Sequence, residues 1–204
     1  WTQLGGDIDG EAVDDTSGHS VSLSSDGTIV AIGARYNDEN GNNSGHVRVY
    51  QYSNDSWTQL GGDIDGEAVD DTSGYSVSLS SDGTIIAIGA RDNGNIITTY
   101  AGYGSDNRGH VRVYQYDVNK ITSITDQSSI DFGPVGWRRL GQDIDGEAAN
   151  DQSGSSVSLS SDGTIVAIGA IGNDGNGVNS GHVRVYQYNG TVWTKIGEDI
   201  NGEA

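Results

Sequence analysis

The chain has 204 residues, 29 acidic against 10 basic side chains, and a net charge of −19. That balance excludes a nucleic-acid binder, because neutralising phosphates needs Lys and Arg, and it disfavours anionic membranes. The absence of cysteine excludes disulfides, thiolate zinc sites and a cysteine nucleophile, and no apolar run approaches the ~18 residues that span a bilayer.

Internal repetition dominates the chain. A Trp-x-x-(Leu/Ile)-Gly-x-Asp-Ile segment begins at Trp1, Trp57, Trp137 and Trp193, at spacings of 56, 80 and 56 residues. The segment SGHSVSLSSDGTIVAIGA from Ser17 returns in near-identical form from Ser73 and Ser153, and GHVRVYQY recurs from Gly45, Gly109 and Gly181. The repeat divides the chain into units 1–56, 57–136 and 137–192, with 193–204 opening a further one. The second unit is longer by insertions at 91–108 and 117–136, both placed between predicted strands, where loop growth costs little.

In chain order, each unit reads as four short strands. Ser20–Ser24 alternates, with Val21 and Leu23 on one face and serines on the other. Ser25-Asp26-Gly27 predicts a tight hairpin of the two-residue kind. Thr28–Ala34 is small or apolar on both faces, the pattern of a strand covered on both sides. His46–Tyr52 sets Val47 and Val49 against His46, Arg48, Tyr50 and Tyr52, and Trp57–Leu60 opens the fourth strand. No segment sustains a helical period. The expectation is therefore all-β: β-propeller-type blades of four antiparallel strands, three full repeats plus the start of a fourth.

The Gly-x-Ser-Val start, the Asp-Gly turn, the Val-Ala-Ile-Gly-Ala strand and the closing Gly-x-Val-x-Val-Tyr resemble the FG-GAP repeat of integrin α chains and of many microbial surface proteins. The resemblance covers most of each unit. It implies a propeller blade and an extracellular or cell-surface setting. Calcium-binding members carry several acids in the turn between strands, whereas Ser24-Ser25-Asp26-Gly27 has one carboxylate, so Asp26, Asp82 and Asp162 are read as turn residues.

Candidate calcium ligands lie instead in the acidic loops. Asp7, Asp9 and Glu11 stand at alternate positions, as do Asp63, Asp65 and Glu67, and Asp143, Asp145 and Glu147. Calcium takes six to eight oxygens, and an Asp-x-Asp-Gly stretch can curl around it. The competing reading is a solvated loop whose acids bond local backbone N–H groups. His46, His110 and His182 recur at one strand position and are read as packing or inter-blade hydrogen-bonding groups. Arg48, Arg112 and Arg184 are expected against acids of a neighbouring blade or the rings of Tyr50, Tyr114 and Tyr186. The tryptophans are expected to anchor the outer strand. Asn42, Asn54 and Asn189 head Asn-x-Ser/Thr sequons in predicted loops and are candidate glycosylation sites.

No serine elbow, phosphate loop or unique carboxylate pair occurs, and the insertions, with Tyr100, Tyr103, Asp106, Asp126 and Asp131, form no recognisable constellation. The chain is expected not to be an enzyme. Its expected role is an extracellular structural or adhesion module that presents loops to proteins or glycans or builds a larger surface structure or filament. The alternative is a calcium-dependent binding module or lectin using the acidic and insertion loops. Partners are other copies or blades, extracellular proteins or glycans, with no membrane insertion. Three blades are too few to close a ring. Together with the lack of methionine, this predicts an excerpt or processed product of something longer, association of copies, or stacking into a fibre.

Overall fold

The computed structural model describes residues 1–94, 96–99, 102–129 and 131–203, with backbone alone at 96–99 and 102–105. Tyr100 of the first insertion lies outside the described residues, and the side chain of Tyr103 is likewise not described. No helix occurs among the described residues, and none therefore is long and apolar enough to cross a membrane.

The first blade consists of β1 (Ser20–Leu23), β2 (Ile29–Ala34), β3 (His46–Ser53), β4 (Ser56–Gln59) and β5 (Ile64–Asp65). Its order is β1-β2-β3-β4, all antiparallel, with β5 also on β3. The fourth strand is thus broken in two: Trp57 pairs Tyr52 and Ile64 pairs Val47, with a glycine pair, Gly61-Gly62, between. The second blade repeats this with β6 (Ser73–Leu79), β7 (Ile85–Ala90), β10 (His110–Tyr116), β11 (Trp137–Arg139) and β12 (Ile144–Asp145). Its first insertion forms a separate hairpin of β8 (Ile96–Thr99) and β9 (Gly102–Ser105). The third blade has β13 (Ser153–Leu159), β14 (Ile165–Ala170), β15 (His182–Tyr188), β16 (Trp193–Lys195) and β17 (Ile200–Asn201).

The blades are therefore cut at different points from the sequence units. Each Trp strand completes the sheet of the unit before it, because its partner is the preceding Tyr-Gln-Tyr strand. The hairpin at Asp26 also differs from expectation. Ser24–Thr28 separate the strands, Gly27 N–H closes a turn on the Ser24 carbonyl at 3.0 Å, and Gly27 alone takes a positive φ of 72°. A two-residue turn of the predicted kind needs positive φ at two positions, which Asp26 does not adopt.

Two cores form between blades. One face of the first blade (Ile29, Ala31, Val47, Val49, Ile64) packs on the opposite face of the second (Val77, Leu79, Ile86, Ile88, Tyr114, Trp137). The second core repeats the arrangement between the second and third blades. Serine supplies the polar seam: Ser20 and Ser76 hydroxyls donate to the Gly74 and Gly154 carbonyls at 2.7 and 2.8 Å. The hydroxyls of Ser22 and Ser78 accept from the N–H of Leu79 and Leu159 at 3.0 and 2.9 Å. Gly33 and Gly89 allow this approach, since a Cβ on either would strike the facing carbonyl oxygen of Gly74 or Gly154.

The same packing explains an asymmetry along the chain. Val77 and Leu79 are 9% and 7% exposed, whereas their counterparts Val21 and Leu23 are 63% and 60% exposed, because no blade precedes the first within these residues.

Candidate functional site: the acidic loops and the seams between blades

The acidic loops run from the end of one blade to the start of the next. Ile64 is buried on β3, so β5 holds its flanking acids at the blade end, while Glu67 continues onto the second blade. A loop's acids are consequently shared between two blades. Asp143 and Glu67, from different loops, meet on Arg112, and Glu147 meets Arg184 at 3.3 Å. Asp7, Asp9 and Glu11 likewise do not converge: Asp9 offers its backbone carbonyl to Arg48 at 2.7 Å, Asp7 accepts from Gln3 at 2.8 Å, and Glu11 meets Arg48 at 3.2 Å.

Among the described residues, three clusters could share a cation: Glu11, Glu39, His46 and Asp63; Glu67, His110 and Asp143; Glu147, His182 and Asp199. None draws its acids from a single loop. Asp65 and Asp145 are exposed residues outside these clusters. Asp65 stands beside the first cluster with one side open to solvent; crowding out of water in the cleft, then Glu39, Asp63 and Glu11, push its carboxyl up to about 7. The His-carboxylate juxtaposition escapes sequence reading because each cluster needs the loop before a blade, the third strand of that blade and the loop after it.

In the second cluster the cation is an arginine. Arg112, 4% exposed, donates Nε and Nη2 to the two oxygens of Asp143 at 2.8 and 2.7 Å and also contacts Glu67. Arg139 adds a third bond to Asp143 at 2.8 Å. Burial alone would raise Asp143, but the Arg112 fork holds its carboxyl below the usual range. Arg48 and Arg184 also lie over Tyr50 and Tyr186, at 5.6 Å each from the ring centres, as the sequence predicts, whereas Arg112 lies over Phe132 at 5.3 Å.

Beside this cluster, a cleft of about 420 Å³ separates the acidic loop 63–67 from the second insertion. The insertion is held by Lys120, whose ammonium donates to the carbonyls of Thr122, Gly133 and Pro134 at 2.9, 2.6 and 2.8 Å.

The tryptophans are seam residues. The indole N–H of Trp57, Trp137 and Trp193 donates to the carbonyl of Leu4, Leu60 and Leu140 in the preceding segment, at 2.9, 3.0 and 2.7 Å. Trp137 and Trp193 are 0% and 4% exposed, so neither offers a face on which a sugar could stack.

The turn aspartates act as read from the sequence. Asp162 accepts from the Ser160 hydroxyl at 2.6 Å and from the Thr164 N–H and hydroxyl at 3.0 and 2.9 Å; Asp26 and Asp82 repeat this. The Ser160 bond, then those from Thr164, pull Asp162 down to about 2. The folded chain thus binds fewer protons than the unfolded chain, whose carboxyl titrates near 3.8. The contribution is complete above 3.8 and is lost as pH falls through about 2. Asp162→Asn is expected to be less stable than the parent in urea melts at pH 7, and that gap is expected to close by pH 2.

The sequon residues Asn42, Asn54 and Asn189 are exposed and lie outside the strands.

Stacked four-stranded blades joined by such seams define a propeller-type repeat protein. The profile of the FG-GAP repeat matches residues 8–50 and 144–186, so the chain carries FG-GAP repeats in these two stretches. Those matches fall on the first and third units; the second carries the same segments split by its first insertion. No protein with a curated description matches the chain. Among solved structures, the chain is similar to a candidate 6-phosphogluconolactonase from Bacteroides uniformis ATCC 8492. That similarity has 9% identity, a TM-score of 0.40 and coverage of 90% of this chain. The chain spans 56% of that protein's length.

Proposed function

We propose that this chain is a non-enzymatic structural module of the cell exterior whose blade faces build a larger array by taking further blades of the same kind, from the same chain or from another copy. The observation that carries this reading is that the faces at either end of these three blades carry the same residues as the faces buried between them, so each is built to receive a further blade of the same kind. The outer face of the third blade presents Ile165, Ala167, Val183, Val185 and Ile200, the same residues that Ile29, Ala31, Val47, Val49 and Ile64 bury in the first core. The first blade presents Val21 and Leu23, the residues that Val77 and Leu79 bury.

A groove of about 460 Å³ on the third blade, lined by Ser156, Gly169, Gly181 and Ile200, occupies the place where Gly74 and Gly154 dock on the other blades. Faces of this kind, one matching the other rather than itself, build head-to-tail assemblies. The exterior setting is supported by the surface proteins in which FG-GAP repeats occur and by the net charge of −19, which keeps such a surface solvated.

Analytical ultracentrifugation of the 204-residue chain tests this. Sedimentation is expected to increase with protein concentration. Gly169→Ala is expected to keep the fold, since its Cβ meets only the exposed Ser156 side chain, yet to abolish association, because the same Cβ would strike the incoming glycine carbonyl. A chain that stays monomeric at every concentration would overturn the assembly reading.

A further inference from the structure

We propose that the first blade carries a binding site for a first-row divalent transition metal of the zinc type, formed by His46 Nδ1 and one carboxylate oxygen each from Glu11, Glu39 and Asp63. The ligand atoms of these residues lie within 4.8 Å of one another. His46 is 1% exposed and its Nδ1 has no hydrogen-bond partner. That nitrogen faces Glu11 Oε2 at 3.8 Å, beyond hydrogen-bonding range. A buried polar atom left unmatched costs about 1–3 kcal/mol, and a cation among the carboxylates would match it.

The carboxylates have oxygens to give. Glu11 Oε1 takes Arg48 at 3.2 Å, leaving Oε2 on the histidine side. Asp63 Oδ1 accepts from Gln59, leaving Oδ2. Zinc bonds of about 2.0–2.2 Å set tetrahedral ligand atoms about 3.4 Å apart. Glu11 and Glu39 are exposed, so their side chains can close the remaining gap. An imidazole with carboxylates selects zinc-like metals over calcium, which prefers all-oxygen shells.

The other blades provide an internal contrast. In the second, the Arg112 fork already sits between Glu67 and Asp143. In the third, Lys195 holds Asp199 at 2.7 Å, Arg184 holds Glu147 at 3.3 Å, and Gly175 stands where the first has Glu39. The first cluster alone brings three carboxylates to one histidine, with Arg48 the one arginine paired to them. Because Glu11 precedes the blade and Asp63 follows β4, a bound metal would staple the leading segment to the blade.

The test is titration of metal-stripped protein with zinc against a chromophoric chelator, at a concentration where the chain is monomeric. One zinc per chain is expected. Glu39→Gly, which copies the third unit, and His46→Asn are each expected to lose at least tenfold in affinity, while Glu147→Gln leaves it unchanged. The melting temperature of metal-free Glu39→Gly is expected to equal that of the parent. Absence of saturable zinc binding, affinity unchanged in Glu39→Gly, or displacement of zinc by equimolar calcium would each overturn the proposal.

Discussion

Replacing Trp137 with alanine is expected to cost about 3–5 kcal/mol of stability in urea unfolding, the range for deleting a fully buried large side chain. Trp137 is 0% exposed and fills the first core beside Ile86, Ile88 and Tyr114. Its indole N–H reaches back 3.0 Å to the Leu60 carbonyl, and its ring meets Tyr116 at a centroid distance of 5.3 Å. Three terms are lost together: the transfer of the ring, the cavity it leaves, and the inter-blade hydrogen bond. The position rather than the residue type is decisive. Trp1 is fully exposed, and Trp1→Ala is expected to change stability by no more than about 0.5 kcal/mol. Equal effects at the two positions would show that the indole-to-carbonyl seam does not stabilise the blades.

Arg112→Met is expected to be comparably damaging, about 3–5 kcal/mol, because it removes one partner of a buried ion cluster and leaves the other uncompensated. Asp143 would keep Arg139 but lose the two-pronged bond at 2.8 and 2.7 Å, and Glu67 would lose its contact. Adding Asp143→Asn and Glu67→Gln to Arg112→Met is expected to restore much of the loss, since the desolvated charges then disappear together. Denaturant midpoints for the single and combined variants measure this. If the combined variant is less stable than Arg112→Met alone, then the acids stabilise the blade independently of the arginine.

Much of the fold is legible in the sequence because each strand carries its own signal. Val21 and Leu23 alternate with serines, Ile29–Ala34 is apolar on both faces, and Asp26-Gly27 punctuates the two. The tryptophans were legible as anchors from their fixed place in every unit. The acidic loops were not. Asp63, Asp65 and Glu67 look like one ligand set because they are adjacent in the chain, but the loop crosses from one blade to the next and delivers Asp63 to His46 and Glu67 to His110. That pairing is set by how blades stack, over separations that local spacing does not encode. The five-residue hairpin departs from the two-residue expectation for a smaller reason: Asp26 accepts from Ser24 and Thr28, which stabilises a turn in which Asp26 does not take a positive φ.

The serine and tryptophan bonds between blades use the same residues at each junction, and both partners at every seam belong to the recurring part of the unit. Any unit can therefore follow any other without a new contact having to be invented. Unequal recombination between the near-identical coding segments would lengthen or shorten the array while leaving each remaining junction intact. The number of blades is thus free to drift in a lineage.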